Sequence, residues 1–146
     1  MVYDGTDESG HARYRKYFRA TVNGVQGIVL IPDDVYLSSS SIPAQANRGT
    51  ASTYGGKTYT TDTWTTIENK GCVFLPAAGW QIVEEGDASW VSRYDSSNNT
   101  GIYWSSTTID GVVSKHLAFW VDLVSPNYSL AHRHYGLSVR LVRPVE

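Results

Sequence analysis

Asn23-Gly24, set between two runs rich in β-branched and aromatic residues, constrains the fold of this chain more than any other dipeptide in it. Both residues tolerate positive φ, which a type I′ turn needs at its two central positions, and that turn matches the twist of paired strands. Tyr14 to Val22 and Val25 to Ile31 are therefore expected to form a β-hairpin, stopped by Pro32-Asp33-Asp34. The stretch from Ser38 to Tyr59, with its serine run and Gly55-Gly56, has no usable periodicity and reads as a long surface loop. Thr61 is placed to cap a short helix from Asp62 to Lys70, with Trp64 and Ile67 on one face and Gly71 ending it.

Farther along, Cys72 to Leu75 is a short apolar run closed by Pro76, consistent with a buried strand, and Ala77 to Trp80 turns the chain. Trp80 to Thr100 is polar and reads as loops, with Ile102 to Thr107 resuming as a strand. Between Val113 and Val124 apolar and polar residues alternate. Val113, Leu117, Phe119, Val121 and Leu123 are expected on the core face, and Ser114, His116, Ala118, Trp120 and Asp122 on a solvent face. Ser125-Pro126-Asn127 reads as a turn, Tyr128 to His134 as a return strand, and Leu137 to Val142 as a last strand with Val139 and Leu141 inward.

Composition narrows the function classes. Twelve Lys and Arg against fourteen Asp and Glu give a net charge of −2 in 146 residues, which argues against a broad phosphate-binding surface, so a nucleic-acid partner is not expected. No apolar run approaches the roughly 18 residues of a membrane span, so direct membrane insertion is not expected. Met1 to Gly10 is polar and acidic rather than a signal peptide, so any export signal is expected outside this chain. The single Cys72 forms no intrachain bridge and reads as a small core residue. Residues 1–12 read as a polar lead-in and 13–146 as a single domain. Five Trp and ten Tyr among many Ser and Thr suit either an aromatic β core or a recognition surface.

Three motifs in order carry a resemblance: Gly71-Cys72-Val73-Phe74-Leu75-Pro76-Ala77-Ala78-Gly79, Tyr103-Trp104-Ser105-Ser106-Thr107, and Gly136 with Ser138-Val139-Arg140-Leu141-Val142-Arg143. With the opening hairpin and the Trp64 helix, they make the chain from about Tyr14 onward resemble the Fibrobacter-type major paralogous (FISUMP) domains. The resemblance implies an α+β, C-type-lectin-like fold: mixed short β-sheets, about two short helices and long loops. It implies a non-enzymatic binding module on a cell surface, secreted, or on a phage virion, meeting a protein or glycan receptor on another cell surface, with oligomeric state open. Some related domains are variable proteins of diversity-generating retroelements. In that reading Trp104 to Ser106, Leu117, Phe119, Arg133, Gly136 and Ser138 to Arg143 are framework. The ligand-binding variable surface is Thr108, Ile109, Asp110, Val112, Ser114, His116, Ala118, Trp120, Asp122, Tyr128, Leu130, His132, His134, Tyr135 and Leu137. Codon arithmetic is compatible with this. Randomising both adenines of an AAC or AAT codon never yields Trp, Lys, Gln, Glu or Met, and among the positions from Thr108 to Leu137 tested against that rule, only Lys115 and Trp120 break it.

Other chemistries fit the residues less well. His132 and His134 at i, i+2 share a strand face, and His116 on a neighbouring strand completes three imidazoles of the kind that hold zinc, with Asp122 nearby. This is the basis of an alternative reading as a metal-dependent enzyme. No HExxH-like element supplies a base, and exposed contact residues are the simpler role. No nucleophile elbow supports a Ser-His-Asp triad. Ser125-Pro126-Asn127 and Trp104-Ser105-Ser106 lack the carboxylates of a lectin calcium site. No glycine pattern cradles a phosphate, so neither a metal nor a cofactor is expected. Trp120 is either an anchor for a partner or covered by the 38–59 loop. A further alternative is a structural or tip module of a larger surface fibre.

Overall fold

The computed structural model describes residues 2–6, 12–15, 17–32, 35–42, 57–85, 90–95, 98–109, 111–120, 123–132 and 135–140. The fold is mixed α+β and dominated by strands. The chain divides into two compact units, Met1–Ala77 and Ala78–Glu146.

The first unit opens with β1 (Val2–Thr6) paired antiparallel to β2 (Ala12–Arg15), strands that fall in part where the sequence reads as a polar lead-in. Next come β3 (Tyr17–Val22) and β4 (Val25–Leu30), the expected hairpin. Asn23 and Gly24 take φ of 51° and 82°, as a type I′ turn requires. The pairing runs without a slip from Tyr17↔Leu30 to Val22↔Val25. A single 3₁₀ turn (Ser39–Ser41) and the two-residue strand β5 (Thr58–Tyr59) occupy the described ends of the expected loop. Residues 43–56 lie outside the described residues.

Helix α1 (Thr61–Glu68) starts one residue earlier than the sequence suggests, because Thr60 rather than Thr61 is the cap. The Thr60 hydroxyl accepts from the Thr63 amide, and the Thr63 hydroxyl accepts from the Thr60 amide at 2.8 Å, a reciprocal capping box. At the other end Cys72 N–H donates to the Ile67 carbonyl at 3.3 Å and Gly71 N–H to that of Glu68 at 2.8 Å, a Schellman closure. Trp64 and Ile67 face inward as expected.

Strand β6 (Val73–Pro76) then pairs with β4, completing a four-stranded sheet in the order β5-β3-β4-β6, with β5 parallel to β3. The core of this unit joins Phe18, Val22, Val29, Ile31, Ile42, Tyr59, Trp64, Ile67 and Cys72. Within it Phe18, Tyr59, Trp64 and Phe74 form a chain of rings with centroids 6.4, 6.0 and 5.7 Å apart. Burial pushes the Cys72 thiol above its ordinary range, in keeping with an inert core residue.

The second unit holds β7 (Trp80–Glu85) and β8 (Trp90–Asp95), an antiparallel pair in a stretch whose sequence reads as polar loops. Its second sheet has the order β11-β10-β9, from β9 (Gly101–Thr108), β10 (Val113–Phe119) and β11 (Val124–His132). The expected Ser125-Pro126-Asn127 turn is instead inside β11. Proline is tolerated there because β11 is an edge strand and the register slips at that point: His116↔Tyr128 is followed by Ala118↔Ser125, two steps on β10 against three on β11.

Candidate functional site at one end of the C-terminal sheet

Strand β10 is the spine of this sheet, and its neighbours bulge around one point. Ser114↔Thr108 is followed by His116↔Trp104, so two steps on β10 face four on β9. On the other side Ser114↔Ala131 is followed by His116↔Tyr128, two steps against three. Extra residues on both flanks re-aim the side chains between them. Ser105 stabilises the β9 bulge: its hydroxyl donates to the Lys115 carbonyl at 2.9 Å and accepts from the Thr107 amide at 3.2 Å.

The sheet is braced on both faces. Phe119 lies opposite Gly101, where a β-carbon would run into the Phe119 ring, so only glycine permits this approach. The ring stacks on Tyr103, with centroids 6.3 Å apart and planes at 12°. Burial raises the Tyr103 phenol above its ordinary pKa, against the opposing pull of Arg140 and of a hydrogen bond with Ser138. On the other face Trp104 meets His116 edge to face at 6.4 Å. The C-terminal segment clamps the frame. Gly136 exchanges two backbone hydrogen bonds with Gln81, of 2.7 and 3.0 Å, while Ser138 donates to Ile102 and accepts from Trp104, both at 3.0 Å.

The expected solvent face of β10 is not one. Ser114, His116 and Ala118 are 6%, 5% and 0% exposed, as buried as Val113 and Phe119 on the opposite face. A central place in a sheet pairs a strand's edges but does not decide its faces; here both faces of β10 are covered, and alternation marks a half-buried strand only where one face opens to water. Burial moves the His116 imidazole below its ordinary pKa, partly offset by a backbone hydrogen bond at Ser114. Leu123 and Val139, expected inward, are exposed, and Leu117 is half-buried. Leu141 and Val121 lie outside the described residues.

The remaining predicted contact residues separate into two groups. Thr108, Ile109 and Val112 are exposed at the β9–β10 connection, whose ends are tied by the Ile109 amide and the Val113 carbonyl at 3.2 Å. Val113 pairs with His132, which brings half-buried His132 to the same end of the sheet. His132 meets Tyr135 edge to face at 5.7 Å, and the Tyr135 amide donates to the His132 carbonyl. Leu137, half-buried, follows directly. Trp120 belongs to the opposite end, in the β10–β11 connection, where its amide donates to the Leu123 carbonyl. Six strand steps, about 20 Å, separate the two ends. Tyr128 and Leu130 lie on β11. Asp110, Asp122 and His134 lie outside the described residues, as does Arg133 of the expected framework.

The three-histidine arrangement does not form as the sequence suggests. Residues directly opposite in a ladder share a face, so His132 goes with Val113 and His116, three positions on, with the other face. Among the described residues no group of three or more His, Cys, Asp or Glu stands ready for a metal. Sequence reasoning also missed Ser106 and Thr107, which are exposed beside Thr108. Four hydroxyl residues in succession, Ser105 to Thr108, were the available signal, since an alternating strand has no reason to keep all four polar. The end of the sheet is thus a surface of hydroxyls and branched aliphatics; Asp110 is the only charged residue in sequence from Tyr103 to Ser114.

Compared with known proteins, the chain matches no family model, no curated protein and no solved structure. Among the described residues no helix is long and apolar enough to cross a membrane.

Proposed function

We propose that this chain is a non-enzymatic recognition module of C-type-lectin-like fold, akin to the FISUMP domains, with the β9–β10 end of its C-terminal sheet as the contact surface. The observation that carries the reading is the exposure of Ile109 (47%) and Val112 (58%) beside Thr108 on a connection held by a braced sheet. The part of a branched aliphatic left in water adds nothing to folding, whereas on a preorganised support it is available for binding at low entropic cost. Half-buried Tyr135 and His132 extend the surface with rings. The partner is a protein or glycan receptor on another cell surface, and the module is displayed by a cell or a phage. Segments outside the framework are free to vary in such a module, which agrees with retroelement diversification of Thr108, Ile109 and Val112. His116, Ser114 and Ala118 drop out of the contact set because they are buried.

The test is binding of the purified chain to a glycan array and to intact bacterial cells, alongside an Ile109→Ser/Val112→Ser variant. Specific binding lost in the variant supports the reading; binding to neither target, or binding that the variant keeps, overturns it. Sequencing the flanking DNA for a near-copy of codons Thr100 to Arg143, differing only at adenines, decides whether the surface is diversified.

A further inference from the structure

The N-terminal unit contains a cavity of about 270 Å³ between the 3₁₀ turn, β5 and α1. It opens to solvent and is lined by Ser40, Ser41, Thr58, Thr63, Thr66 and Ile67, of which Ser40, Thr58, Thr63 and Thr66 are exposed. Lys57 and Tyr59 also line it. The stretch from Ser38 to Tyr59 reads from sequence only as loop, and no role in the proposed contact surface uses any of these residues.

The ligand class follows from where the protons point. The Thr66 hydroxyl donates to the Asp62 carbonyl at 3.1 Å and the Thr63 hydroxyl to that of Thr60 at 3.1 Å. The Tyr59 hydroxyl donates to the Ser41 carbonyl, and the Lys57 ammonium donates to that of Ser40 while lying 5.5 Å from the centre of the Tyr59 ring. Ser40 and Ser41 share hydrogen bonds with the Ser38 hydroxyl at 3.0 and 2.8 Å. The Thr66 and Tyr59 hydroxyls, their protons committed to carbonyls, keep lone pairs for a guest, whereas Thr63, which also accepts from the Thr60 amide, is spent; in the pairs with Ser38 either oxygen can donate, so the serine hydroxyls serve as donors or acceptors. An ammonium with three protons adds donors at one side. An apolar guest would strip water from these oxygens and return no hydrogen bond, which disfavours it at every hydroxyl it covers. An anion would meet a single cation, beside Thr66 and Tyr59 hydroxyls whose protons are already committed, in a chain of net charge −2. A guest whose hydroxyls both donate and accept matches this mixed lining. The volume is below the roughly 300 Å³ at which drug-sized pockets begin, which suits one sugar-sized ring.

We propose that this cavity binds a small neutral polyol of the size of a single pyranose or cyclitol, independently of the contact surface on the C-terminal sheet.

The experiment is calorimetric and saturation-transfer titration of the full chain with glucose, galactose, mannose, myo-inositol and inorganic phosphate as probes. Expected is saturable millimolar binding of at least one sugar or inositol, weakened tenfold or more by Thr66→Val and by Lys57→Met, and unchanged by Ile109→Ser/Val112→Ser. Thermal unfolding of the variants, measured in parallel, confirms that each is folded. Saturable binding of phosphate alone, binding of none of the probes, or sugar binding indifferent to both cavity variants overturns the proposal. Loss of cell binding in the surface variant with polyol binding intact separates this site from the recognition surface.

Discussion

The two principal sheets of this protein are built to different tolerances. In the four-stranded sheet of the N-terminal unit, β3, β4 and β6 pair residue for residue with no slip, over a core of interlocked rings. In the three-stranded sheet of the C-terminal unit, the register of β10 slips against both neighbours, twice against β11 and once against β9. Regular pairing maximises hydrogen bonds and leaves side chains alternating in fixed positions. Bulges interrupt that alternation and turn short stretches outward, which is how Ser105 to Thr108 come to be exposed together. The regular sheet puts its side chains into one core, while the irregular one leaves a run of hydroxyl side chains in solvent and is braced separately by Phe119 on Gly101 and by the 135–140 segment.

The bracing is the first thing to break. Phe119→Ala removes the ring that fills the space over Gly101 and stacks on Tyr103, and is expected to cost about 3–5 kcal/mol. Trp64→Ala, in the regular unit, removes a ring packed edge to face on both Tyr59 and Phe74 and is expected to cost a similar amount. Urea unfolding monitored by fluorescence and by amide exchange checks both. Equal losses spread over both units would erase the distinction between them; exchange raised selectively in β9, β10 and β11 for Phe119→Ala would sharpen it.

Next in size is the bulge itself. Ser105→Ala deletes a donor to Lys115 and an acceptor for Thr107, with an expected loss of about 0.5–1.5 kcal/mol and faster exchange of the Thr107 amide. An unchanged Thr107 amide would show that the bulge is held by other means.

Much of the regular unit was legible in the sequence, and the reason is local. Asn23-Gly24 fixes its turn by backbone chemistry alone, and Trp64, Ile67 and Gly71 mark one helix within a span of eight residues. Its cap moved from Thr61 to Thr60, because adjacent threonines offer the same hydroxyl and the reciprocal bond with Thr63 selects one of them, and its end moved from Lys70 to Glu68. The irregular unit was harder. β7 and β8 are half apolar, but Gly86-Asp87 and Asp95 to Asn99 made the stretch read as loop. Pro126 reads as a turn until a bulged edge strand accommodates it. The alternation from Val113 gave a strand, though one that ends at Phe119 rather than Val124, and it did not show that both faces of that strand are covered. Of the candidate site, Thr108, Ile109 and Val112 stayed exposed because they sit at the end of the sheet, a property of position that periodicity does not encode.

His116 offers a smaller, pH-dependent test of the same contrast. Its imidazole ordinarily titrates near 6.5, and burial lowers that value in the folded chain. Between the unfolded and folded values the unfolded state binds the extra proton, so folding stability falls as the pH drops below about 6.5 and levels off below the folded pKa. Stability above that range is unaffected by this group. His116→Gln should flatten the corresponding part of the stability curve between pH 7.5 and 5, measured as urea midpoints. An identical slope in the variant would assign the acid sensitivity to other groups.

The smallest effect on folding is expected where the functional reading is strongest. Ile109→Ser/Val112→Ser replaces side chains already 47% and 58% exposed, so little apolar area leaves the core and stability should stay within about 0.5 kcal/mol of the parent. The tie between Ile109 and Val113 is made by the backbone and survives the substitution. A variant that unfolds at the parental urea midpoint but no longer adheres to cells isolates recognition from folding at this end of the sheet. A variant that loses stability by about 2 kcal/mol or more would instead mean that the aliphatics are packed in the working protein. The irregular sheet would then be bulged to seat a neighbour of its own assembly, as in a fibre module, and its difference from the regular sheet would concern construction rather than recognition.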